Sequence, residues 1–120
     1  MPALSPFAES EDLQTVSLDD VLKIREPSVY LVRISGDSME GAGIFDDDLL
    51  VVNRAIEARH GQIVVAAVNG EPACKRLHIR GKEIILQSEN PQYPKRYILP
   101  GDDFSVWGVV TYSLRSYGPA

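Results

Sequence analysis

Ser38 and Lys75 are the two residues whose types and settings could together break a peptide bond. Ser38 lies in Ile-Ser-Gly-Asp-Ser-Met, residues 34–39, just past an alternating stretch over residues 28–33 that reads as a strand. In that stretch Tyr30 and Val32 alternate with Val29, Leu31 and Arg33. Turn formers follow at residues 40–43, then three aspartates, Asp46, Asp47 and Asp48. A serine held in a tight turn at a strand end is a candidate exposed nucleophile. An ordinary polar turn, with Asp and Ser bonding their own backbone, uses the same residues.

What raises the serine above an ordinary turn is the setting of the lysine. Residues 72–80, Pro-Ala-Cys-Lys-Arg-Leu-His-Ile-Arg, alternate as a half-buried strand does. Ala73, Lys75, Leu77 and Ile79 fall on one face; Cys74, Arg76, His78 and Arg80 fall on the other, which reads as the solvent side. Lys75 thus shares the apolar face. A buried ammonium is costly unless it is paired or loses its proton. Desolvation moves a lysine pKa down from about 10.4, and a neutral amine can take the proton of a serine hydroxyl. The competing reading is a lysine with a buried stem whose ammonium reaches the strand edge.

Other chemistries have less behind them. A Ser-His-Asp triad needs a histidine near the serine, but His78 points out with the arginines and His60 sits before Gly61 in a connector. The aspartate run at residues 46–48 lacks the further ligands of a calcium loop and reads as a solvated turn. No Gly-rich phosphate loop is present. No metal or cofactor is expected. Cys74 reads as incidental on the outward face, with a catalytic thiol second. Trp107 and Tyr112 read as sharing one strand face, for core or dimer packing rather than ligand stacking.

The elements that must position the pair are short strands separated by turn signals. Residues 1–15 read as an extended arm, since Pro2 and Pro6 oppose helix and Glu9, Glu11 and Asp12 oppose burial. Residues 17–23 read as a short helix capped by Ser17, with aspartates in its first turn and Leu18, Val21 and Leu22 on one face. Strands follow at residues 28–33, 48–53, 62–68, 72–80, 83–87, 96–99 and 104–114. Asn69-Gly70 is a hairpin turn, Gly81-Lys82 a second tight turn, and Pro91 and Pro94 fix the loop over residues 88–95. The prediction is a mostly β single domain of antiparallel hairpins over residues 16–115, with one short N-terminal helix, the arm, and a loose tail at residues 116–120.

Composition narrows the function classes. The 120 residues suit one domain with its own core. No run of about 18 apolar residues exists, and residues 1–11 lack the basic start and apolar stretch of a secretory signal. One cysteine cannot form an internal disulfide, so a reducing cytoplasm is the expected location. A net charge of -5 argues against direct nucleic-acid binding, which needs a basic footprint. No membrane partner is expected, and the sequence leaves no room for a helix-turn-helix before the strands.

Six segments in order carry a resemblance: Ser-Gly-Asp-Ser-Met (35–39), Asp-Leu-Leu-Val-Val (48–52), His-Gly-Gln-Ile-Val-Val-Ala (60–66), Lys-Arg-Leu (75–77), Asn-Pro-Gln-Tyr-Pro (90–94) and Val-Trp-Gly-Val-Val (106–110). They resemble the self-cleaving serine proteases of the LexA/UmuD type (peptidase S24), nearest to the UmuD branch, over nearly the whole chain. The resemblance implies the LexA/signal-peptidase-like β fold, with Ser38 as nucleophile and Lys75 as general base meeting across the fold. Backbone N–H groups around Ser38 would hold the oxyanion, and Gly36 and Met39 would shape the pocket wall. It further implies a homodimer acting in SOS mutagenesis with an error-prone Y-family DNA polymerase and the RecA filament. The substrate would be the protein's own N-terminal arm, cut before a glycine.

The sequence departs from that pattern in two places. The family often has glycine where Asp47 stands, although aspartate tolerates the left-handed backbone better than most residues. The arm holds no Cys-Gly or Ala-Gly, and the aligned cut would fall near residues 1–3. The chain therefore reads as an already trimmed form or one born short. Two alternatives stand beside the protease reading. One is a non-catalytic polymerase accessory with a vestigial dyad; the other is the C-terminal half of a LexA- or phage-type repressor.

Overall fold

The computed structural model describes residues 13–119. Most of the arm expected over residues 1–15 lies outside the described residues, as does the last residue of the tail. Helix α1, Leu18–Leu22, starts where Ser17 Oγ accepts the Asp20 N–H at 3.4 Å and stops at Lys23, whose φ of 59° breaks the helical turn. Its Leu22 is the residue that packs into the protein.

Seven strands follow: β1 Val29–Arg33, β2 Leu49–Asn53, β3 Ile63–Val68, β4 Glu71–Arg80, β5 Glu83–Gln87, β6 Arg96–Tyr97 and β7 Phe104–Leu114. They form one antiparallel sheet in the order β1-β2-β7-β3-β4-β5-β6. The β3–β4 hairpin turns on Asn69 and Gly70 at φ 52° and 83°, the two left-handed positions that Asn-Gly favours. One element not expected from sequence is a 3₁₀ turn, Glu40–Ala42, directly after the serine.

The long last strand does not sit at an edge. β7 runs between β2 and β3 and joins the two halves of the sheet. Its partner jumps from Gly108 to Val106 between Val65 and Ala66, and from Tyr112 to Val110 between Val51 and Val52, so Trp107 and Thr111 are bulged out. Gly108 permits this close approach. A Cβ there would lie 2.6 Å from Val52 Cγ1 and 3.2 Å from the Asn53 backbone. Trp107 and Tyr112 consequently do not share one surface: Trp107 lines a hollow with Ser38, and Tyr112 lines another with Ile56 and Ile63.

Two apolar clusters hold the sheet. Met39, Ile44, Leu50, Val52, Val65 and Cys74 form one; Val64, Ala66, Leu77, Leu86 and Val109 form the other. Val64 and Val65 are consecutive, so the clusters lie on opposite faces of the strands they share. This corrects the solvent side assigned to β4. Cys74 is buried opposite Val65, and Arg76 is half-buried, whereas Ile79 near the strand end is 37% exposed. Both faces of β4 are covered near its middle, which single-face alternation cannot express.

Candidate active site

The serine turn is built by its neighbours in sequence. Gly36 takes φ 94° and donates its N–H to Asp46 Oδ1 at 2.8 Å. Asp47 also adopts the left-handed region, at φ 73°, and its N–H reaches Ile34 O at 2.8 Å. Met39 is wholly buried and anchors the turn in the first cluster, while its carbonyl accepts from Ala42 at 3.0 Å and Ile44 at 3.2 Å. The aspartate run is not a solvated turn throughout. Asp48 is 2% exposed, and its carboxylate accepts from Phe45 N at 2.8 Å and from Arg115 at 3.2 Å. The Arg115 bond holds the Asp48 carboxyl below the ordinary carboxylate range, against the opposing effect of burial.

Ser38 and Lys75 line the same cleft, of about 430 Å³, with Val32, Ile34, Val65 and Trp107 among its walls. Ser35 lines it as well. Gly36 and Met39 do not: the first lies in the turn behind, and the second is beneath it in the core. The Gly36 N–H is already held by Asp46. Among the described residues, the Ser38 and Met39 N–H groups make no hydrogen bond and remain able to donate.

Lys75 stands at a break in the sheet. β3 pairs with β4 from Glu71 to Arg76, but β5 pairs with it only from Arg76 onward. The outer edge of β4 up to Lys75 is therefore open among the described residues. The lysine lines the Ser38 cleft on one side and, on the other, a hollow with Asn69, Glu71 and Arg96. It forms no ion pair with a described carboxylate. Burial lowers its pKa below the ordinary amine value, opposed in part by the neighbouring Cys74 sulfur. Burial also pushes the Cys74 thiol up to about 11, so at neutral pH it is an inert thiol.

The loop over residues 88–95 braces the site. Glu89 O accepts the Gly41 N–H at 2.8 Å, Asn90 Nδ2 donates to Asp37 O at 2.9 Å, and the Tyr93 hydroxyl donates to Asp37 Oδ1. On the lysine side, Arg76 pairs with Glu89 at 2.5 Å and donates to Gly61 O at 2.9 Å. Lys75 Nζ lies 5.7 Å from the Tyr93 ring centroid. Only the Asn-Pro-Gln-Tyr-Pro string hinted at this loop, and its role was not legible there.

The histidines stand apart from this cleft. They pack edge to face at 5.3 Å, and His60 Nδ1 accepts the Ile79 N–H at 2.9 Å. No group of three or more His, Cys, Asp or Glu among the described residues could hold a metal ion. No helix among them is long and apolar enough to cross a membrane.

Comparison with known proteins agrees with this geometry. The family described as Peptidase S24-like matches residues 3–111. A LexA repressor of Cupriavidus taiwanensis is 40% identical over 114 residues, covering 95% of this chain and 52% of that protein. Protein MucA of Salmonella typhimurium is 40% identical over 109 residues, covering 89% of this chain and 73% of MucA. A LexA repressor of Syntrophotalea carbinolica is 34% identical over 125 residues, 100% of this chain and 62% of the repressor. The chain thus spans about half to three-quarters of the length of these relatives. With a match that runs through the serine turn, the lysine strand and the bracing loop alike, the chain belongs to the peptidase S24-like family, in its LexA/UmuD type.

Proposed function

We propose that this chain is a Ser/Lys-dyad peptidase domain whose substrate in the full-length protein is its own N-terminal arm. The observation that carries the proposal is the shared cleft of Ser38 and Lys75, with no ion pair to the lysine among the described residues and its pKa lowered by burial. In its neutral form Lys75 Nζ takes the Ser38 proton as Oγ bonds to the scissile carbonyl carbon. The Ser38 and Met39 N–H groups hold the oxyanion. Collapse breaks the C–N bond, the lysine ammonium returns its proton to the leaving amine, and water then releases the acyl group from Ser38. Docking of the arm excludes further water from the amine and favours its neutral form, so cleavage quickens once the arm is in place.

The role we assign is that of an SOS-response accessory of the UmuD type. It dimerises and supports an error-prone Y-family polymerase at the RecA filament, in the cytoplasm. MucA, of which the chain covers 73%, favours this role. The equal identity of the LexA repressors favours a second reading, the autocleaving C-terminal half of a repressor. A DNA-binding segment encoded upstream distinguishes the two.

The test of the chemistry attaches an arm carrying a Cys-Gly site and incubates at about pH 9 to 10, near the ordinary lysine value. Cleavage that disappears in Ser38→Ala and in Lys75→Ala supports the dyad. An intact arm in the unmutated protein supports a vestigial one.

A further inference from the structure

The family's dyad does not explain why one aromatic side chain touches both halves of the site. Tyr93 belongs to neither the serine turn nor the lysine strand. Its hydroxyl bonds the carboxylate of Asp37, the residue before Ser38, while its ring stands 5.7 Å from Lys75 Nζ. The same loop grips the turn on both sides of the serine, through Asn90 to Asp37 O and through Glu89 O to Gly41 N. It is tied to the lysine strand through Glu89 and Arg76. A third segment thus contacts both the serine turn and the lysine strand. That segment leaves β5 at Gln87, opposite Arg76 and one residue from Lys75.

We propose that Tyr93 is a positioning residue of the dyad: its hydroxyl fixes the Ser38 turn through Asp37 while its ring stands against the Lys75 amine and limits where that amine can go. This rests on the peptidase reading above. The hydroxyl is suited to the task because the Asp37 bond and charge push its pKa above the ordinary phenol value, so it remains a donor in alkaline solution. The ring is suited because an aromatic face attracts an ammonium more weakly than a carboxylate does, and so holds the amine in place while favouring its protonated form less. Tyr93 is 42% exposed, so its contacts position the site rather than fill the core.

The prediction separates geometry from folding. A misplacement of the order of an ångström in a reacting pair can cost about a hundredfold in rate. Loss of one positional bond is expected to cost about tenfold. The assay is cleavage in trans of a Cys-Gly arm peptide, with kcat and KM determined separately alongside the melting temperature. Tyr93→Phe keeps the ring and removes the bond; kcat falls about tenfold with KM and melting temperature unchanged. Asp37→Ala falls equally, and the Tyr93→Phe/Asp37→Ala double falls no further, since both remove one contact. Asp37→Asn, which still offers an acceptor oxygen, retains most of the rate. Tyr93→Leu, lacking the ring as well, falls further than Tyr93→Phe.

A Tyr93→Phe protein with unmutated kcat, or a double variant whose losses add, overturns the proposal. If cleavage is lost in Lys75→Ala but untouched by Tyr93→Phe, the positioning role fails and the dyad stands. If the unmutated protein cleaves nothing, both readings fall together.

Discussion

Gly41→Ala is the substitution that most directly probes whether the bracing loop rests on the serine turn. A Cβ at residue 41 would lie 2.5 Å from Glu89 O and 3.3 Å from Glu89 C, where 3.4 Å marks the start of ordinary contact. Loop and turn must therefore part by about 0.9 Å. Glu89 has little freedom to retreat, because its side chain is pinned to Arg76 at 2.5 Å. Overpacking of this kind costs about 1–3 kcal/mol. The Gly41 to Glu89 hydrogen bond stretches with it, for about 1 kcal/mol more. Reduced freedom of the unfolded chain returns about 0.4–1 kcal/mol. The net expectation is a loss of about 2 kcal/mol, or a melting temperature lower by about 8 °C for a domain of this size. Separation of the loop also loosens Asn90 and Tyr93 from Asp37, so arm cleavage falls by more than stability alone explains. Thermal denaturation, amide exchange at residue 41 and cleavage of the arm-extended protein measure the three effects. Gly43→Ala serves as a control: it meets nothing within 4 Å and suffers only from its φ of 80°, so its exchange defect stays local. A Gly41→Ala protein that melts within about 1 °C of the unmutated protein, with residue 41 still protected, refutes the bracing argument.

Three further outcomes follow from the electrostatics. Arg115→Ala leaves the buried Asp48 carboxylate with the Phe45 N–H alone and costs about 2 kcal/mol in urea unfolding at pH 7. Because folding lowers the Asp48 pKa, its contribution is present above the ordinary value of about 3.9 and is lost as pH falls toward the folded value. Unmutated protein therefore loses more stability on acidification than Arg115→Ala does. At Lys75 the sign is reversed. A lysine with a lowered folded pKa costs stability at neutral pH, and the cost is relieved as pH rises from the folded value toward about 10.4. Lys75→Met is expected to raise stability at pH 7 by about 1 kcal/mol, to remove that alkaline rise, and to abolish cleavage; unchanged melting at both pH values counts against a desolvated amine. Cys74, with its thiol pushed up to about 11 and its side chain buried, should resist a thiol reagent at pH 8 until denaturant unfolds the protein. Rapid labelling of the folded state contradicts the burial.

The candidate pair and most of the strands were legible because both are local signals. Alternation marked β1 and β4, Asn69-Gly70 announced the hairpin, Ser17 and two aspartates marked α1, and a lysine among apolar neighbours marked an unusual amine. The left-handed Asp47 agrees with the glycine that the resembling family often has there, a conformation aspartate tolerates better than most residues. The two faces of β4 were misassigned because alternation reports which side a residue faces and not what covers that side. Val65 covers Cys74 across the β3–β4 hairpin, and Met39 covers it from the serine turn, which is distant in sequence. Likewise the burial of Asp48 depends on Arg115, the grip on Asp37 depends on Asn90 and Tyr93, and β7 reaches the centre of the sheet because Gly108 lets it lie against Val52. Sequence by itself thus determined which residues could do chemistry and which strands could carry them. Tertiary structure alone decided what holds the serine to the lysine. The two bonds that hold Asp37 join residues more than 50 positions apart, and they satisfy hydrogen-bonding groups that no local pattern records.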